Sequence, residues 1–251
     1  MDAPDLPREF VIRERHHRIH NPFSEDKLAV LGRALRLRPG DRVLDLACGS
    51  GELLCTWARD HGATGTGVDL SSDFVAAAAA RADELGVADR VELVHGDAGE
   101  YVGEPAYDVV SCLGASWIGG GVPGTLRLLE QSLRPGGIVL LGEPYWAQEP
   151  PDDETIRACH AQSREDFHSL PGLVRELGDL GWDVVEMVLA APDDWDRYAA
   201  AQWLTTRRWL DESPDDELAP QLRAELDTAA WAHVTYQRAY LGWGVFALIR
   251  R

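Results

Sequence analysis

The chain predicts an α/β fold, a mostly parallel sheet with helices on both faces. Short apolar runs recur through the first three quarters of the sequence and alternate with stretches of helical period. The first run, RVLDLA at 42–47, ends in a small-residue turn, CGSG, that opens directly into a helix. The length of 251 residues suits one such domain carrying an insert.

The elements follow in order. Residues 52–61 suit a helix, and GTGVDL at 65–70 a second strand. Ser71 or Ser72 caps a helix running to about Leu85, with Gly86 as its stop signal. RVELVH at 90–95 alternates like a strand, and AYDVVSCL at 106–113 is a fourth. Residues 123–133 fit a helix, after which RPGG turns into a fifth strand at 138–144. A helix over 169–180 and a strand over 182–190 come next, and the last strand is YLGWGVFALI at 240–249. Between these final strands, residues 193–238 read as a helical insert. Trp195, Tyr198, Trp203 and Trp209 share one broad face, and Ser213-Pro214-Asp215-Asp216 carries the cap, proline and carboxylates of a second helix start.

Composition narrows the function. Apolar residues make up 45% and charged residues 26%, which excludes disorder as the main state. The net charge of −18 repels phosphate backbones, so nucleic acid is not the expected partner. No apolar stretch is long enough to predict a membrane span, and the acidic start MDAPDLPREF lacks the apolar core of a secretory signal. Cysteines at 48, 55, 112 and 159 have neither metal nor redox spacing and read as free thiols. A cytoplasmic location is the expectation, and no carboxylate or histidine cluster has the spacing of a metal site.

VLDLACGSGELL at 43–54 is the most informative stretch. Small residues admit a ligand to the backbone, and a helix start supplies unpaired N–H groups. Such a turn alone serves a nucleotide, a flavin or tight packing. Two details favour S-adenosylmethionine (SAM) over a dinucleotide. Leu54 stands where G-x-G-x-x-G has its third glycine. Asp45, just before the turn, opposes a pyrophosphate but suits an ammonium and a sulfonium. The P-loop lysine is absent. Downstream, Asp69 closes the second strand where a carboxylate accepts ribose hydroxyls, and Asp97, with the Ala98 N–H, follows the third where an adenine edge would lie. Helix capping is the plain alternative for each aspartate.

These motifs together resemble the class I SAM-dependent methyltransferases: VLDLACGSG the first motif, VDLS the ribose motif, HGDA the adenine turn, YDVVSCLGASW the fourth-strand motif and LRPGG the turn before the fifth strand. The likeness covers roughly 40–190 plus the final strand, and Ala47 stands where the family more often has glycine. It implies a Rossmann-like seven-stranded sheet in the order 3-2-1-4-5-7-6 with the seventh strand antiparallel. It also implies a methionine site at Asp45, Ala47, Gly49, Ser50 and Gly51, ribose at Asp69 and Leu70, adenine at Asp97 and Ala98, and closure by Cys112 and Leu113. RIHNPFS ahead of the core resembles a small group of uncharacterised bacterial members, which implies no substrate.

Methyl transfer from SAM needs alignment more than a catalytic triad, so a pocket is the feature to seek. Residues 1–38 form the expected N-terminal lid segment, 39–192 with 239–251 the SAM-binding core, and 193–238 a substrate cap. Seven of the nine tryptophans lie beyond residue 145, four of them in the insert. An aromatic stripe on a helix is also what core packing looks like. The insert and the 145–168 stretch are expected to roof a small aromatic or apolar acceptor, methylated on oxygen or nitrogen. His20 in the lid and Glu143 at the fifth strand's end are the candidate base groups. A non-catalytic SAM-binding protein and a nicotinamide-dependent oxidoreductase are the alternatives.

Overall fold

A computed structural model describes residues 6–251. Seven strands form one sheet: β1 Arg42–Leu46, β2 Thr64–Asp69, β3 Val91–His95, β4 Tyr107–Leu113, β5 Leu133–Trp146, β6 Trp182–Leu189 and β7 Leu241–Arg250. Their order is β3-β2-β1-β4-β5-β7-β6. The first five strands pair in parallel, and β7 runs antiparallel between β5 and β6. This is the expected Rossmann-like α/β sheet.

The strands are apolar on both faces because both are covered. Val43, Val109, Leu140 and Val245 pack under α2 (Glu25–Ala34), α3 (Glu52–His61) and α4 (Ser72–Glu84), with Trp57 and Leu31 buried between. Leu44, Val110, Leu141 and Phe246 face α5 (Val122–Ser132) and, through Leu173 and Leu177, α7 (Leu170–Asp179). Helix starts follow ordinary capping chemistry. The Ser71 hydroxyl accepts from the Phe74 N–H at the head of α4, and Ser24 accepts from Lys27 at the head of α2. Gly86 stops the α4 segment in the left-handed region, φ 66°.

Two boundaries differ from the sequence reading. The RPGG segment is not a free turn but part of β5, because Leu133 pairs with Tyr107 across an irregularity in the ladder. The helix start at Ser213 also moves. α8 spans Pro192–Glu212, and α9 begins only at Ala219. Asp216, expected inside the first turn, instead accepts from the Leu218 N–H and pairs with Arg8 at 2.9 and 2.5 Å. That ion pair ties the insert to α1 (Arg8–Glu14).

α9 (Ala219–Ala232) runs on through one π turn, His233–Gln237, into α10 (Arg238–Tyr240) and the last strand. The wider turn carries buried His233, whose Nε2 meets Asp196 on α8 at 2.9 Å. Trp209, Leu210 and Leu222 form a small core of their own with Ile12 of α1. The N-terminal segment thus contributes Ile12 to the insert's core. α6 (Asp153–Ala158) closes the same end of the sheet, where Ile156 and Cys159 pack on Trp146 and Leu241.

Trp209 is 5% exposed and Trp231 59%. Trp209→Ala should therefore cost about 3–5 kcal/mol of unfolding free energy, and Trp231→Ala less than about 0.5 kcal/mol. Urea titrations of the two variants measure this.

Candidate active site

The turn after β1 reverses the chain by placing three residues in the left-handed region: Ala47 at φ 60°, Gly49 at 53° and Gly51 at 69°. For alanine this costs about 1–2 kcal/mol, which the surrounding bonds must offset. The Gly49 N–H donates to Asp69 Oδ2 at 2.8 Å, and the Ser71 N–H donates to Oδ1 at 2.9 Å. One carboxylate thus fixes the β1 turn to the end of β2. A Cβ on Gly51 would stand 2.8 Å from Ala78 Cβ, so its lack of a side chain lets α4 approach α3. Glu52, the first residue of α3, is buried and bound by both arms of Arg81 at 2.8 Å.

Asp45 lies beneath this turn, 4% exposed, and accepts from the Ser111 hydroxyl at 2.7 Å. Burial pushes its carboxyl up to about 7, against the pull of the Ser111 bond and with the help of neighbouring Asp69. A buried carboxyl in this state gains from a cation brought to it.

The N-terminal segment closes over the turn. His20 Nε2 lies 2.9 Å from Ser50 Oγ, and its ring sits on Phe74 with centroids 4.3 Å apart. A Cβ on Gly49 would come within 2.8 Å of His20 Nδ1. Burial holds His20 below the usual imidazole range. The ring is a clip between the N-terminal segment and the loop. Asn21 Nδ2 donates to the Leu113 carbonyl at 3.0 Å, and a Cβ on Gly114 would meet Asn21 Oδ1 at 2.2 Å.

The lid is anchored from behind by Glu14, which is fully buried. Its carboxylate accepts from Tyr198 at 2.7 Å and Gln202 at 2.6 Å, both on α8, and meets His17 Nδ1 at 2.6 Å. Burial raises the Glu14 carboxyl, but these partners bring it net below its ordinary value.

One cleft joins these parts. Of the residues singled out from sequence, His20, Asp45, Ala47, Gly49, Ser50, Asp69 and Leu113 line it. Gly51 shapes the turn from behind. Leu70, Asp97, Ala98 and Cys112 are not in its wall. Asp97 Oδ1 accepts from the Gly99 N–H at 2.8 Å, and Ala98 and Cys112 are in the core. Glu143 is separated from the cleft and lines a second cavity beyond the β4–β5 edge. Cys48 is a partly buried free thiol and lines the cleft. Phe74, Trp243 and Arg18 join the wall without having been singled out. Arg18 and Asn21, both inside the noted RIHNPFS segment, had a signal; Phe74 and Trp243 are ordinary core types in sequence.

A buried carboxyl facing a backbone cradle without phosphate-binding lysine fits a cationic nucleoside such as SAM. The comparisons agree. A family model described as a methyltransferase domain matches residues 43–137. A SAM-dependent methyltransferase from Geobacter sulfurreducens, solved with S-adenosylhomocysteine, is 60% identical, with 99% of this chain and 100% of that one covered and a TM-score of 0.97. One from Thiobacillus denitrificans with the same ligand is 58% identical over 99% and 100% of the chains, also at 0.97. An uncharacterised Escherichia coli protein, YjhP, is 60% identical over 98% of this chain and all of its own length. The sheet, the cleft and these relatives agree, and the chain belongs to the SAM-dependent methyltransferases.

Proposed function

We propose that this methyltransferase acts on an oxygen or nitrogen atom of a small molecule. The observation that carries the reading is the cleft itself, closed over the β1 turn by a lid clipped at His20 and Asn21. So enclosed a donor site favours an acceptor small enough to enter beside it, and the net charge of −18 disfavours a nucleic acid.

SAM, when bound, supplies an activated methyl group. The protein's task is then to orient, exclude water and neutralise charge. Asp45 is assigned the cationic methionine end, with Ala47, Gly49, Ser50 and Gly51 as the backbone cradle. Asp69 and Leu70 are assigned the ribose. Asp97 and Ala98 are assigned the adenine, supported by the pairing of Asp69 with His95 just upstream of them. Leu113 is assigned the closure of the site at the end of β4, with Cys112 packed in the core behind it. Residues 6–38 are assigned the lid, held by Glu14 to the insert; residues 1–5 of the expected lid lie outside the described residues. His20 is assigned to holding the loop, through its contact with Ser50.

The acceptor is placed at the β4–β5 edge, under the stretch 145–168. A second reading puts it inside the insert, the cap of our domain division. It is favoured by a cavity of about 470 Å³ that brings Trp203 together with Arg13 and His160. Helix α1 stands between that cavity and the cofactor cleft, with Phe10 facing the cleft and Arg13 the cavity.

Three outcomes follow. Asp69→Ala should weaken SAM and S-adenosylhomocysteine by about 1.5–3 kcal/mol, roughly tenfold or more, and an unchanged dissociation constant rejects the ribose assignment. Ligand-free Asp45 is mainly protonated at pH 6, and a bound cation lowers its pKa. SAM affinity should then rise with pH up to about 7, with protons released on binding at pH 6. Calorimetry in buffers of different ionisation enthalpy should show that release in the native protein and not in Asp45→Asn. Trp203→Ala should leave SAM affinity intact. If it also alters turnover or preference across an acceptor panel, the insert reading replaces the β4–β5 one.

A further inference from the structure

We propose that the cavity beyond the β4–β5 edge is an ammonium-binding subsite in which Glu143 holds the cationic amine of the methyl acceptor. This rests on the methyl-transfer reading above. The cavity encloses about 240 Å³. Glu143 is 7% exposed, lines the cavity, and has a buried Oε1 without a hydrogen-bond partner. A buried carboxylate left in that state is costly.

Of the other acids of the cavity, Asp166 is already engaged. Asp166 accepts from the Gln162 N–H at 2.7 Å and from the Ser163 hydroxyl at 2.7 Å. Glu176 Oε2 lies 3.0 Å from His168 Nε2 but, like Glu143 Oε1, has no hydrogen-bond partner. Neither lysine nor arginine is among the described residues lining the space. Glu143 therefore lacks an internal cation, and an ammonium supplies both the missing donor and the missing charge. Phe167 and Leu173 add apolar wall for a carbon skeleton. Burial pushes the Glu143 carboxyl up to about 7, against a bond from Ser116 and assisted by Glu176.

Position links the subsite to the donor. Leu113, in the cleft wall, pairs with Gly142, the residue before Glu143. Ser116 lines the second cavity, while its neighbours Ala115 and Trp117 line the first. The spaces are thus separated by the turn that follows β4. An amine seated at Glu143 leaves the rest of its molecule to pass that turn toward the cofactor.

NMR titration of the full chain saturated with S-adenosylhomocysteine tests this, with benzylamine and its neutral analogue benzyl alcohol as probes at pH 8. Benzylamine should bind at least tenfold more tightly, shifting resonances around Glu143 and Ser116. Glu143→Gln should weaken benzylamine at least tenfold, with S-adenosylhomocysteine affinity within twofold of the native value. Equal binding of the two probes, no binding of benzylamine, or native benzylamine affinity in the variant overturns the subsite. Should Glu143→Gln fail to fold, the comparison of the two probes on the native chain decides alone. Failure of S-adenosylhomocysteine to bind defeats the methyl-transfer reading first, whereas its binding without amine preference defeats only the subsite.

Discussion

The contact of Asp69 with the Gly49 and Ser71 N–H groups is the constraint on which the site depends. A chain leaving β1 must reverse within five residues and still present its backbone to a ligand. Left-handed residues make the reversal, and a side chain other than glycine is disfavoured at most of them. The carboxylate at the end of β2 then holds the turn in place from the neighbouring strand. Asp45 lies buried beneath the turn, where Ser111 on β4 reaches across to it. The cradle is therefore the product of three adjacent parallel strands, not of one loop.

The lid depends on the same turn. His20 rests where Gly49 has no side chain, and Asn21 where Gly114 has none. Glycines that look in sequence like room for a ligand are also room for the protein's own N-terminal segment. That segment is joined through Glu14 to Tyr198 and Gln202 of the insert, almost two hundred residues away in the chain. The segment thus makes contacts with both the loop and the insert. The insert's part in the enzyme begins with this anchorage, and its buried Trp209 and Leu222 are the packing that makes the anchorage firm.

Buried acids recur around the site with different solutions. Glu52 has a bidentate arginine, Glu14 a set of neutral donors and a histidine, and Asp45 a single hydroxyl. The first two are locked into the fold. Asp45 is raised toward neutrality and is the acid of this group suited to an incoming cation.

The sequence by itself determined the sheet, its helices and the glycine turn. Apolar periodicity, capping serines and small-residue turns are local, and a parallel sheet buried on both faces leaves few other ways to satisfy them. Asp45, Asp69 and the turn residues were legible for the same reason: they occupy strand ends, and strand ends in this fold meet at one edge. Tertiary structure decided the rest. The helix start at Ser213 looked complete in local chemistry, yet Asp216 was claimed by Arg8 from α1, and the helix began later. Trp203 and Trp209 looked alike on one face, but one lines a cavity and the other fills a core. Glu143 and Asp45 both sit near the ends of central strands. Alternation of side chains and the turn after β4 send them to different cavities. Which partner a side chain meets across the fold is a long-range fact, and neither spacing nor composition carries it.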